Sequence, residues 1–202
     1  MPGGAQAQED IGALGEAVSV RRDAPAGPEL QLAQPSFMGC SVVIVPPTNN
    51  DFEQQVVELV NDHRASIGKP PLKRVSLLDQ TARYHSCDMR DDDYFRHDTH
   101  DRVNGQLVQV CSFSQRVGGH YTNWAAIGEN IAAGYVTPAD VMQGWLDSTG
   151  HRANIEDHLF WEIGVGYCSG GSWWRYWTQN FGRRWNAYPL VIQREYSRTA
   201  TP

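Results

Sequence analysis

No long apolar run occurs in these 202 residues. The longest aliphatic stretch, Val42 to Val45, falls far short of the ~20 residues that span a bilayer. Positive charge is scarce too. Lys plus Arg number 17 against 23 Asp plus Glu, a formal charge of −6 with His neutral. That argues against a chain held to nucleic acid by phosphate contacts or to a membrane by a polybasic clamp. No Cys-x-x-Cys pair exists among Cys40, Cys87, Cys111 and Cys168, which excludes a zinc knuckle or thioredoxin-type site. The opening MPGGAQAQED lacks the basic and apolar regions of a signal peptide.

Aromatics are nearly missing from residues 1–39, where Phe37 stands alone among six of the 19 Gly and four of the 11 Pro. A segment so poor in large apolar groups cannot offset its ordering entropy. Residues 1–39 therefore read as an acidic, poorly ordered or loosely docked lead-in. Residues 40–188 form the globular unit and 189–202 a C-terminal tail. An even number of scattered cysteines suits an oxidising compartment, although four buried thiols are the alternative. Three pairings are open. Cys40 is expected to pin the lead-in through a disulfide.

Three helices are signalled. Asn50 stands three before Glu53 in a capping-box pattern, and Phe52, Val56, Val60, His63 and Ile67 follow at helical spacing up to Gly68. Ser76 starts a second helix with Leu78, Ala82, His85 and Met89 on one face. Thr137-Pro138-Ala139-Asp140 starts a third, with Thr as cap and Pro at the first helical position. Trp161 to Tyr167 and Trp173 to Phe181 read as a hairpin about Ser169-Gly170-Gly171-Ser172. Val42 to Val45 reads as a weaker strand. Residues 98–127 read mostly as loop, with a short helix near Ser112 to Gly118. Helices first and a hairpin last indicate an α+β fold.

Seven histidines occur, and most read as structural; His63 and His85 sit on apolar helix faces. His97 and His100 form an H-x-x-H in a loop, unlike the helical H-E-x-x-H of zinc proteases. His151 follows Ser148-Thr149-Gly150, and Glu129 lies in Gly128-Glu129-Asn130-Ile131. A glycine beside a polar residue can mark a close backbone approach. Further segments accompany these: Val60-Asn61-Asp62-His63-Arg64, Met89 to His97, Gly134-Tyr135, Trp145 to Ser148, Ile163 to Tyr167, and Tyr176 to Gly182. In this order they resemble the CAP or SCP domain family of cysteine-rich secretory, antigen 5 and pathogenesis-related-1 proteins, in its bacterial style.

The resemblance implies a three-layer α–β–α sandwich with a small antiparallel sheet. It also implies a cleft lined by two histidines and two acids. Carried over, these are His97, His151 and Glu129. Asp147 is the nearest residue to the second acid, one carbon shorter than the Glu of the pattern. Neutral imidazoles suit zinc and similar divalent ions, but two His and one distal Glu make a thin site, so a weakly held zinc is expected. The resulting reading is a secreted or envelope-exterior binding module. A metal-dependent hydrolase with metal-bound water and Glu129 as base ranks below it. A lipid or sterol binder is a further alternative, with Trp173 and Trp174 facing the ligand. A bland alternative has Glu129 and His151 merely holding loops together. The expected partner is a small apolar or peptide ligand, with no nucleic acid and a monomeric chain.

Overall fold

The structure, a computed structural model, describes residues 13–21, 39–40 and 42–190; the rest of the lead-in and residues 191–202 of the tail lie outside the described residues. In chain order the elements are β1 (Ala13–Leu14), β2 (Val18–Arg21), α1 (Asn50–Ser66), β3 (Lys73–Arg74), α2 (Ser76–Asp91), β4 (Thr99–Val103), β5 (Gln106–Cys111) and α3 (Phe113–His120). Then come β6 (Trp124–Ala133), α4 (Pro138–Asp147), α5 (Thr149–Glu156), β7 (Glu162–Ser169) and β8 (Arg175–Arg184).

The helix starts follow local hydrogen-bond chemistry. At α4 the Thr137 and Asp140 side chains each accept the other's backbone amide, with Pro138 at the first turn. At α1 the cap is Asn49, one residue before the expected box, and its side chain accepts from the Phe52 amide at 3.1 Å. Helix α2 begins at Ser76, but extended Val75 holds the cap position and no side chain caps it.

The main sheet runs β6–β8–β7–β3, and both β1 and β2 pair antiparallel with the outer edge of β6. Neighbouring strands β6, β8 and β7 are antiparallel, while β3 pairs parallel with β7. Side chains alternate across the sheet. Ile163, Val165 and Phe181 pack under Val56, Val60, Trp145 and Ile155 of α1, α4 and α5. On the opposite face Gly164 and Gly166 lie against α2, where an added Cβ would stand 2.1 Å and 2.2 Å from the Leu78 and Ala82 carbonyl carbons. Helix α3 joins that layer, with Phe113 and Val117 beside Leu78 and Ile127. The chain is thus an α+β protein with helices on both faces of the sheet.

Several local expectations give way. Val42 to Val45 is not a strand; Val42 and Ile44 are exposed. Residues 98–127 are not mostly loop. They hold the β4–β5 hairpin, which turns at Asn104-Gly105 with both φ angles positive, and the start of β6. The return strand begins at Arg175 rather than Trp173. Trp173 and Trp174 lie in the preceding turn, closed by Gly170 N–H to Trp174 O at 2.8 Å, and Trp174 takes φ 63°. Disulfides join Cys40 to Cys111 and Cys87 to Cys168. The first gives Cys40 the disulfide expected of it, with the end of β5 as its partner; the second ties α2 to β7.

Candidate functional site: a cleft at the outer edge of β6

Every residue of β6 is buried, and its side chains point alternately to the two helical layers. Glu129 points toward α2 and α3. Its Oε1 lies 2.9 Å from His97 Nδ1, and its Oε2 accepts from Arg116 of α3 at 2.5 Å. Arg116 also donates to the His97 carbonyl at 2.7 Å and to Thr99 Oγ1 at 2.9 Å, so one guanidinium fixes both the acid and the loop that carries His97. Asn180, in the β8 position paired with Glu129, completes the cradle. With its amide oriented to suit both neighbours it donates to Oε2 at 2.8 Å and accepts from the Ala82 amide. Burial pushes the Glu129 carboxyl up, but Arg116, His85 and His97 outweigh it and hold its pKa at about 2.

His85 of α2 lies beneath this pair. Its Nε2 donates to the Arg96 carbonyl at 2.9 Å and lies 3.8 Å from Glu129 Oε1. Burial, reinforced by the Arg116 charge, pushes its pKa well below the usual histidine value. His85 thus props the Glu129–His97 pair from below.

His151 arrives from the other helical layer, at the start of α5. Its Nδ1 meets Ser148 Oγ at 2.7 Å, and its carbonyl accepts from the Asn130 side chain at 3.0 Å. Its Nε2 is buried with no hydrogen-bond partner among the described residues. Burial lowers the His151 pKa to about 4. The Gly15 backbone beside the ring opposes this without closing a hydrogen bond of good geometry, and the nearby His97 imidazole adds to it. The two imidazoles therefore approach the β6 edge from opposite faces of the sheet.

Residues of the lead-in pass between them. The Gly15 amide donates to the Ile131 carbonyl at 3.3 Å, the Glu16 carbonyl meets His97 Nε2, and Asn154 of α5 donates to the Val18 carbonyl at 3.0 Å. This crossing divides the cleft. On one side Leu14–Ala17, Ser148, Gly150 and His151 line a cavity of 420 Å³. On the other, Val18–Val20, His97, His100 and Phe113 help to line one of 520 Å³.

Of the expected residues, His97 and Glu129 are in direct contact, and His151 lines the neighbouring cavity across the Gly15–Glu16 crossing. Asp147 does not join them: it is exposed at the end of α4 and accepts from Gln143 at 2.9 Å. Trp173 and Trp174 are exposed at the β7–β8 turn, 41 % and 75 %, with the Trp173 ring 6.4 Å from that of Phe95. His63 lies elsewhere, paired with Glu156 at 2.8 Å. The residues that sequence reasoning passed over are Arg116 and Asn180. Asn180 lay within the Tyr176 to Gly182 segment without being singled out, and no spacing or motif marked Arg116; a lone arginine in a short helix ordinarily reads as surface. A separate group, Asp88, Asp92 and Asp101, is the one cluster of three acidic, His or Cys residues among the described residues with ligand atoms within 4.8 Å of one another.

With the cleft placed, the chain can be set beside known proteins. The profile of the CAP, or cysteine-rich secretory protein, family matches residues 57–181, more than half of the sequence. The chain belongs to the CAP family. YkwD of Bacillus subtilis (strain 168), itself uncharacterized, is 38 % identical over 136 residues, covering 67 % of this chain and 49 % of YkwD. The uncharacterized membrane protein YlbC of the same organism is 31 % identical over 133 residues, covering 66 % of this chain and 35 % of YlbC. This CAP chain therefore spans half or less of these relatives. Among solved structures, an extracellular SCP-domain protein from Bacillus anthracis is 32 % identical with a TM-score of 0.58, covering 67 % of this chain and 41 % of that one. No helix among the described residues is long and apolar enough to cross a membrane.

Proposed function

We propose that this CAP domain is a binding module that works outside the cytoplasm, with a cleft at the β6 edge that takes a ligand and can hold a divalent ion, zinc first, between His97 and His151. The observation that carries the reading is the orientation of the two rings. Each imidazole has its Nδ1 engaged within its own layer, His97 by Glu129 and His151 by Ser148. The His151 Nε2 is left without a partner among the described residues, while the His97 Nε2 meets the Glu16 carbonyl, which an ion between the rings would displace. A carboxylate on the far nitrogen of a ligating histidine fixes its tautomer and raises its basicity, which is the place Glu129 holds. The unpartnered buried Nε2 of His151 fits the same donor set. Two protein ligands make a weak, exchangeable site. The two disulfides and the extracellular Bacillus anthracis relative support the location.

An ion there would supply Lewis acidity, but Glu129 is not a ready base for it. Glu129 is fully buried, both of its oxygens are engaged, and it is held near pKa 2, far from the neutral range that suits a general base. Binding is therefore favoured over hydrolysis. The test is zinc titration calorimetry on the full chain. His97→Ala and His151→Ala should each remove the heat of binding while the melting temperature stays high. Zinc affinity indifferent to both substitutions would overturn the reading.

The exposed Trp173 and Trp174 favour a second, separate contact with an apolar ligand such as a lipid. Quenching and a blue shift of tryptophan emission on adding lipid vesicles, lost in Trp174→Ala, would support it. Unchanged emission would refute it.

A further inference from the structure

We propose that the outer edge of β6 is a binding site for an extended peptide that carries a glycine, and that residues 13–21 are the resident occupant of that site. The inference rests on reading the cleft as a ligand site but not on its metal capacity.

The contacts made to residues 13–21 are those of strand addition to a sheet edge. Ala13 and Leu14 pair with Ala133 and Ala132, and Val18 to Arg21 pair with Glu129 to Ala126. Where the ladder lapses between the two paired stretches, and at the first residue of the second, side chains of the domain make the contacts. His97 Nε2 meets the Glu16 carbonyl and Asn154 donates to the Val18 carbonyl. Both are read through the backbone, as is the Gly15 amide by the Ile131 carbonyl. Backbone recognition supplies affinity without demanding a particular sequence, and pockets for individual side chains supply the selection.

One position selects strongly. A Cβ on Gly15 would stand 2.4 Å from Ile131 Cγ1. Ile131 is fully buried among Met89, Tyr94 and Tyr176, so its side chain has little room to withdraw. The site therefore demands glycine where the peptide crosses between the two histidines. Leu14 and Val18 pack against apolar residues of the domain, which places an apolar residue before and three after that glycine. At the far end Arg21 reaches Asp157 at 2.7 Å.

The resident segment is lightly held. Glu16, Ser19, Val20 and Arg21 are exposed, and only six of its residues lie in ladder positions. A competing peptide of the same pattern, free in solution or on another chain, would exchange with it. While docked, the segment also occupies the cleft face of His97, so its release and access to the cleft are one event.

The test uses the full chain in EDTA and a fluorescein-labelled peptide with the sequence of residues 10–22, read by fluorescence anisotropy. In the wild-type chain the resident segment competes, so apparent affinity is reduced by the fraction of time the edge is open. Gly15→Val in the protein should free the edge, and the peptide should bind that chain about tenfold or more tightly than wild type. A peptide with valine in place of its own glycine should bind about tenfold or more weakly. Hydrogen exchange gives the second readout: amides of residues 13–21 should be protected in wild type and lose that protection in Gly15→Val. The proposal is overturned if the peptide binds neither chain, if the two peptides bind alike, or if residues 13–21 are unprotected in the wild-type protein. Because zinc is excluded, failure here leaves the zinc titration to be judged separately.

Discussion

Replacing Glu129 by glutamine tests the buried centre of the site. The side chain keeps its size but loses its charge, and the Arg116 guanidinium, 2 % exposed as a residue, is left without a counterion. Breaking one partner of a buried ion pair costs about 3–5 kcal/mol. The pKa gives a second estimate. Displacement of the carboxyl from 4.5 to about 2 corresponds to on the order of 3 kcal/mol of stabilisation at neutral pH. The two agree. For a chain of this size each kcal/mol moves the melting temperature by about 2–4 °C, so a fall of roughly 6–20 °C follows from the same arithmetic. Calorimetric melting at pH 7 in EDTA measures it without any metal contribution. The sign with pH is fixed as well. The folded-state pKa lies below the unfolded one, so the stabilisation is complete above about pH 4.5 and is lost as pH falls toward 2. Glu129→Gln should therefore lose most of the wild-type acid sensitivity in that window. A melting temperature within about 2 °C of wild type would refute the claim of a buried, paired carboxylate.

His151 acts in a different window. Its folded pKa is depressed to about 4, so the unfolded chain takes up a proton first and stability should decline as pH falls from about 6.5 to 4; His151→Gln should flatten that part of a melting-temperature profile. Gly164→Ala should destabilise by about 1–3 kcal/mol in urea denaturation, because its methyl would collide with the Leu78–Asp79 backbone. Zinc and the lead-in need the same His97 nitrogen, so Gly15→Val should tighten zinc binding in calorimetry; an unchanged affinity would mean that they do not compete.

Much of the helical layer was legible from local chemistry. Thr137, Pro138 and Asp140 form a cap that needs no tertiary information, and Leu78, Ala82, His85 and Met89 mark the buried face of α2 through their spacing alone. Strand β6 escaped notice because Trp124 to Ala133 is buried on both faces, which erases the period-two alternation that marks a half-buried strand. The β4–β5 hairpin carried a usable signal, Asn104-Gly105, passed over because its strands are polar and short. Val42 to Val45 misled in the opposite direction, since an apolar run says nothing about whether a neighbouring strand exists to pair with it. In the site, His97, Glu129 and His151 were reached through the order of motifs, because nothing in their spacing of 32 and 22 residues along the chain implies contact. Arg116 was invisible because its role depends on burial opposite Glu129. The pairing of residues 13–21 with β6 was hidden by composition: backbone hydrogen bonds, not large side chains, hold that segment.

The most direct measurement is anomalous diffraction at the zinc edge from crystals of the full chain grown with zinc at neutral pH. A single strong peak is expected in the cleft, at about 2.0–2.1 Å from the Nε2 atoms of His97 and His151, with the Glu16 carbonyl moved away. A peak confined to Asp88, Asp92 and Asp101, or a map with no density between the two rings, would contradict it.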